Sequence, residues 1–140
     1  MENPTITHED KELINCAIAV LDKAYAPYSR FPVGAALVCE NGEVFVGCNV
    51  ENLSFSLTQC AEKVAVSTAV TAGNRKFKCI AIVADTVEVI SPCGACRQVL
   101  AEFNPHIRII SANKNGDRQV FLLDDLLPRP ATGILNNKTA

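Results

Sequence analysis

Apolar positions at Leu13, Ile14, Ala17, Ile18, Leu21, Ala24 and Tyr25 recur at three- and four-residue spacing, the stripe of an amphipathic helix. Thr7 and Asp10 precede it as a capping box with Asp in place of Glu. Pro27 bounds it, because the residue before proline avoids the α region. Val33–Cys39 and Val44–Asn49 are then two β-rich apolar runs. Asn41-Gly42 between them predicts a tight hairpin in which both central residues take positive φ. Residues 60–72 are small and apolar nearly all round, as in a helix buried in a core or a subunit interface. Ala72-Gly73-Asn74 ends it. Cys79–Ala84 reads as a buried strand and 94–103 as a helix stopped by Asn104-Pro105. Ile107–Ser111 and Gln119–Leu123 are strands flanking Asn115-Gly116-Asp117, and Asp124–Leu127 is a short helical turn. The order α-β-β-α-β-α-β-β predicts an α/β fold: a three-layer α-β-α sandwich around a mixed five-stranded sheet. There is no internal repeat. Residues 1–140 read as one domain, with 1–6 a loose arm and 129–140 a polar tail.

Composition narrows the class. At 49% apolar residues the chain can fill a packed core. The net charge is −2, and the basic residues are scattered apart from Arg75-Lys76-Phe77-Lys78. Polynucleotide binding calls for a basic stripe, so no nucleic-acid partner is expected. No apolar run reaches the roughly 18 residues of a membrane helix, and no signal-peptide pattern is present. Seven cysteines make an odd set for a secreted disulfide framework and suit a reducing cytoplasm.

The chemistry lies in two short motifs, Cys60-Ala61-Glu62 and Pro92-Cys93-Gly94-Ala95-Cys96. Alone, Cys-Gly-Ala-Cys fits a redox pair or half of a structural zinc site. With Cys-Ala-Glu upstream it fits the three-thiolate zinc site of deaminases, in which a glutamate that is not a ligand moves protons. A catalytic zinc takes three protein ligands and keeps a fourth position for water. Cys93 and Cys96, at i and i+3, share a face at a helix start, where N–H groups and the helix dipole favour thiolates. Cys60 must come from a second helix start, with Glu62 in its first turn. Zinc lowers the pKa of bound water from ~15.7 toward ~7, and Glu62 is placed to take the water proton and hand it to a substrate nitrogen.

Four segments in order extend this over residues 8–128. Ala26-Pro27-Tyr28-Ser29-Arg30-Phe31-Pro32-Val33-Gly34, Gly47-Cys48-Asn49-Val50-Glu51-Asn52, the two zinc motifs with Arg97-Gln98-Val99, and Asp125-Leu126-Leu127-Pro128 together resemble small homo-oligomeric zinc-dependent cytidine deaminases. The resemblance implies one zinc per chain on Cys60, Cys93 and Cys96, and Glu62 as the proton carrier. It implies hydrolysis of cytidine and deoxycytidine to the uridines and ammonia, as in pyrimidine salvage. It places Phe31 against the base and Asn49 and Glu51, at i and i+2 on one strand face, on the ribose hydroxyls. It gives Ala61 backbone groups to the base and sets the Ser91 backbone near the departing ammonia. It also implies a homotetramer or homodimer with shared sites.

Three departures stand out. Lys63 stands where the family usually has Arg after the glutamate; three thiolates with Zn²⁺ sum to −1, so a nearby cation, Lys63 or Arg97, is expected to compensate. Phe55 replaces a Tyr that reaches a neighbouring subunit's ribose. The usual Phe after Leu-Leu-Pro is missing, since the chain continues Arg129-Pro130. Blasticidin S deaminases share two of these departures, so a modified cytosine nucleoside is the alternative substrate. A non-catalytic zinc or redox protein is the more remote one.

Overall fold

The computed structural model describes residues 5–133 and Leu135; Met1–Pro4 of the expected arm and most of the tail beyond Gly133 lie outside them. The elements are α1 (His8–Ala19), β1 (Val33–Cys39), β2 (Val44–Cys48), α2 (Ala61–Thr71), β3 (Phe77–Ala84), α3 (Gly94–Phe103), β4 (Arg108–Asn113), β5 (Arg118–Leu122) and the single turn α4 (Leu123–Leu126). The strands lie in the order β2-β1-β3-β4-β5. Only β3 and β4 run parallel, with α3 as their crossover, so the five-stranded sheet is mixed, as expected.

Side-chain alternation along β3 makes the layers. Cys79, Ala81 and Val83 meet Leu13, Ile14 and Ala17 of α1 on one face. Ile80, Ile82 and Ala84 meet Ala61, Ala65, Val66 and Ala69 of α2 and Leu100 of α3 on the other. A strand covered on both faces reads as an unbroken apolar run.

Two glycines set how closely the helices ride on the sheet. A Cβ on Gly34 of β1 would stand 2.1 Å from the Ala17 carbonyl oxygen of α1. A Cβ on Gly47 of β2 would stand 2.5 Å from both the Ala61 carbonyl oxygen and the Ala65 nitrogen of α2. Backbone therefore packs on backbone at both places, and a strand glycine is the signature of such an approach.

The capping box of α1 is present: the Thr7 hydroxyl accepts from Asp10 N–H at 3.1 Å, and the Asp10 carboxylate accepts from Thr7 N–H at 2.9 Å. Arg108 of β4 grips the same carboxylate with two bonds of 2.7 and 2.8 Å.

Several boundaries differ from the sequence pattern. The first helix ends at Ala19 and continues as a 3₁₀ turn, Leu21–Lys23, which keeps Leu21 in the core while releasing Tyr25. Tyr25 pairs instead with the chain at Val50, donating to the Asn49 carbonyl at 3.0 Å and accepting from Glu51 N–H at 2.8 Å. The hairpin turn is one residue longer than expected. Gly42 N–H donates to the Cys39 carbonyl and Cys39 N–H to the Glu43 carbonyl, both at 2.9 Å, and of the pair only Gly42 has positive φ, +88°. Asn41 keeps ordinary φ, and its side chain accepts from Glu43 N–H and donates to the Asn74 side chain. A three-residue loop closed by one left-handed glycine is the next most common hairpin connection after the two-residue turn. Strand β3 starts two residues earlier than its apolar run, and β4, β5 and α4 each shift by one or two residues. Strand pairing there runs into polar Lys78, Asn113 and Arg118, which hydropathy alone does not count.

Candidate active site

The N-termini of α2 and α3 converge. Cys60 is the N-cap of α2 and Cys93 the N-cap of α3, both in extended backbone (φ −68°, ψ 152° and φ −65°, ψ 167°). Neither side chain is spent on a capping bond. Each thiol thus stands over a helix's unpaired N–H groups, where negative charge is favoured. Cys96, one turn into α3, is fully buried.

The three sulfurs lie within 4.8 Å of one another, and Cys60 Sγ is 3.9 Å from Cys93 Sγ. Tetrahedral coordination with Zn–S bonds of 2.3 Å places ligand sulfurs about 3.8 Å apart. The donor set, its spacing and a local environment that favours thiolate all fit zinc. Cys60 is drawn down to about 6, first by its hydrogen bond with Cys96, then by Cys93 and the positive charge of Lys63. Cys96 is held up, first by keeping its proton in the bond to Cys60 and then by burial.

Glu62 lies in the first turn of α2 and is only 5% exposed. Burial raises the pKa of its carboxyl, with the neighbouring Cys60 charge adding to the rise, while Lys63 and a bond with Cys96 oppose it. A carboxyl shielded from water and touching the thiol cluster can hold a proton and give it up again. Lys63 is half-buried beside it.

Arg97 does not point its donors at sulfur. Its hydrogen bonds run to the Pro92 carbonyl at 2.7 Å, the Leu126 carbonyl at 2.9 Å and the Ser91 hydroxyl at 3.3 Å.

The expected substrate contacts are placed differently from a simple strand face. Strand β2 ends at Cys48, but Val50 still forms bridges to Tyr25 and Gln59, and the side chains of Asn49 and Glu51 on either side of it both turn to the 28–33 segment. Asn49 is buried; its side chain accepts from Val33 N–H and donates to the Phe31 carbonyl, both at 2.8 Å. Glu51 reaches back over the 28–31 turn. It accepts from Tyr28 N–H at 2.9 Å, Ser29 N–H at 3.0 Å and the Ser29 hydroxyl, which holds its carboxyl below the usual range. The two residues therefore tie the Phe31 segment to the chain after β2. Phe31 is 41% exposed, next to Arg30, whose φ of +56° is left-handed. Ala61 is fully buried at the start of α2. Phe55, in a 3₁₀ turn (Phe55–Leu57), is 71% exposed and packs edge-on to Tyr28 with ring centroids 5.8 Å apart.

Sequence reasoning missed two contributors. Gly47 lets α2 sit at its observed depth; a glycine inside a strand pattern is the available signal. The Arg97 bonds have no sequence signal, because Leu126 and Pro92 offer only backbone oxygen.

The chain is similar to known proteins in sequence and in fold. Residues 7–112 match the model of the cytidine and deoxycytidylate deaminase zinc-binding region. The chain is 51% identical over 108 residues to a cytidine deaminase of Sporosarcina psychrophila, covering 76% of this chain and 79% of that protein. The crystal structure of a cytidine deaminase from Burkholderia pseudomallei superposes with a TM-score of 0.84 at 49% identity, over 89% of this chain and 99% of that one. A blasticidin-S deaminase of Bacillus cereus is more distant, 27% identical over 136 residues, covering 91% of this chain and 96% of that protein.

Proposed function

The chain belongs to the cytidine and deoxycytidylate deaminase family, and from that premise we propose that it hydrolyses cytidine and deoxycytidine to uridine and deoxyuridine with release of ammonia. The observation that carries this reading is a buried carboxylate, Glu62, beside a three-thiol cluster whose spacing fits zinc. The zinc ion held by Cys60, Cys93 and Cys96 supplies, when bound, a Lewis acid that makes water nucleophilic at neutral pH.

The residues of the chain do the rest. Glu62 takes a proton from the attacking water and delivers it to N3 of the base as C4 gains oxygen. It then takes the remaining proton from the new C4 hydroxyl and passes it to the 4-amino group, so that the C4 carbonyl forms as the C–N bond breaks and ammonia leaves, and Glu62 ends as the carboxylate it began as. Burial suits this role, because it brings the carboxyl's proton affinity closer to that of the groups it serves. Phe31 offers an exposed ring face for the base. Asn49, with one amide hydrogen and one lone pair still free, and Glu51, with acceptor capacity to spare, take the ribose hydroxyls. The backbones of Ala61 and Ser91 line the amino end. Lys63 offsets the anionic cluster.

The site is completed by neighbouring copies in a homotetramer or homodimer. Tyr25, Tyr28, Phe31, Val50, Leu53, Phe55 and Leu57 are all exposed on two adjoining segments, and an apolar patch of that kind marks an interface. No helix among the described residues is long and apolar enough to cross a membrane, and a role in cytoplasmic pyrimidine salvage as one domain, without nucleic-acid or membrane partners, accords with the composition.

A second reading, deamination of a modified cytosine nucleoside such as blasticidin S or an N4-substituted cytidine, draws on Phe55, which has no hydroxyl, and on Arg129-Pro130 in place of the terminal aromatic. The test is ammonia release by the zinc-loaded protein from cytidine, deoxycytidine, an N4-substituted cytidine and blasticidin S. Turnover of the first two is expected. Glu62→Gln is expected to keep its zinc and lose about 10²–10⁴-fold in kcat. Turnover of a modified nucleoside alone transfers the assignment to the second reading.

A further inference from the structure

The approach to Cys93 is thinly held. Pro92 has no N–H to donate, and the Cys93 side chain makes no capping bond. Among the described residues, the hydrogen bonds tying Ser91 and Pro92 to the rest of the protein come from Arg97 alone. The third arm of the same guanidinium reaches the Leu126 carbonyl, the last residue of α4. One planar fork thus joins three things: the two residues before a thiol, the helix carrying that thiol, and the turn after β5.

We propose that Arg97 is a positioning residue for the thiol cluster: it clamps the Ser91–Pro92 approach to Cys93 onto α4, so that α4 braces the zinc centre from outside it. This rests on the cluster holding zinc for the reaction above. It differs from charge compensation, because all three bonds end on oxygen and lysine cannot make them. An ammonium is a point donor on a flexible stem, whereas the guanidinium presents five N–H groups in a fixed plane.

The test compares Arg97→Lys and Arg97→Gln with the wild type as zinc-loaded full-length proteins. Two quantities are read: the rate at which zinc passes to a chromogenic chelator, and kcat and KM for cytidine. Residues that orient metal ligands from outside the first layer typically contribute roughly 10–100-fold to affinity or activity. The clamp predicts zinc release faster by that order in both variants and lower kcat with nearly unchanged KM. It also predicts no rescue by lysine. Wild-type zinc release in Arg97→Lys with fast release in Arg97→Gln would show a charge role and overturn the proposal; wild-type release in both would remove Arg97 from the site. If neither variant folds, Ser91→Ala decides, since it removes one oxygen of the three: release severalfold faster supports the clamp, and the wild-type rate overturns it. A wild type that holds zinc but deaminates neither nucleoside refutes the proposed reaction, and the zinc-release comparison still decides the clamp.

Discussion

Replacing Gly47 with Ala should injure the reaction out of proportion to its cost in stability. The new Cβ would lie 2.5 Å from Ala61 O and Ala65 N and 3.0 Å from Val64 C. All three are backbone, so no side chain can swing away. Ordinary contact begins at 3.4 Å, and 3.4 − 2.5 leaves α2 to retreat by 0.9 Å. Overpacking of this kind costs roughly 1–3 kcal/mol, a fall of about 3–10 °C in Tm for a chain of this size. The retreating turn carries Cys60 and Glu62, and a misplacement near 1 Å at reacting groups can cost about 10²-fold. Gly34→Ala is the matched control. Its Cβ would meet Ala17 O at 2.1 Å, an overlap at least as severe, but on the α1 face of the sheet, away from the thiols. Thermal unfolding and kcat/KM for cytidine, measured on folded, zinc-loaded protein, separate the two. Gly34→Ala should lose stability with kcat/KM within a few-fold of wild type, and Gly47→Ala should lose both. Equal losses of kcat/KM in the two variants, or none in Gly47→Ala, would refute the reasoning.

Cys93→Ala should bring bound zinc close to zero and lower Tm, since metal binding is coupled to folding; metal analysis showing one zinc per chain in this variant would sink the ligand assignment. Lys63→Gln should lower kcat/KM by roughly tenfold and Lys63→Arg should be tolerated, as read by ammonia release. Hydrogen bonds from Arg108, assisted by Thr7, lower the pKa of Asp10 below 3.8 in the fold. The stability this adds is present above that value and is lost as pH falls through the lower folded one. The Tm gap between wild type and Asp10→Asn, recorded against pH, should therefore be widest near neutrality and narrow below about pH 4. A gap independent of pH would mean that the carboxylate charge contributes nothing.

The sequence was most legible where local and global signals coincide. Strand β1 and helix α3 fall on the positions their patterns predict, because an unbroken apolar run suits a strand buried on both faces and Asn104-Pro105 stops the helix where the packing does. The clustering of Cys60, Cys93 and Cys96 and the first-turn place of Glu62 were legible because helix starts impose their own geometry on i, i+2 and i+3 spacings. Tyr25 misled because its spacing continues the helical stripe while its backbone bonds to residues 49 and 51, a long-range pairing with no local mark. Asn49 and Glu51 lie past the end of their strand at Cys48, yet the alternation carries on because Val50 between them is bridged to Tyr25 and Gln59. The Asp10–Arg108 pair spans 98 residues and is visible only once the fold brings β4 beside α1.

The two N-caps that present Cys60 and Cys93 are 33 residues apart in sequence, and the segment between them contains the central strand β3. A zinc ion joining them closes that loop as a covalent cross-link would. For a disulfide over such a span, the restriction of the unfolded chain is worth about 4 kcal/mol, a sizeable part of the ~5–15 kcal/mol that holds a typical domain together. The ion that serves the reaction is then also a staple across the middle of the fold. Starving the protein of zinc would act on it as reduction acts on a disulfide-bonded one, loosening the central strand as well as silencing the site.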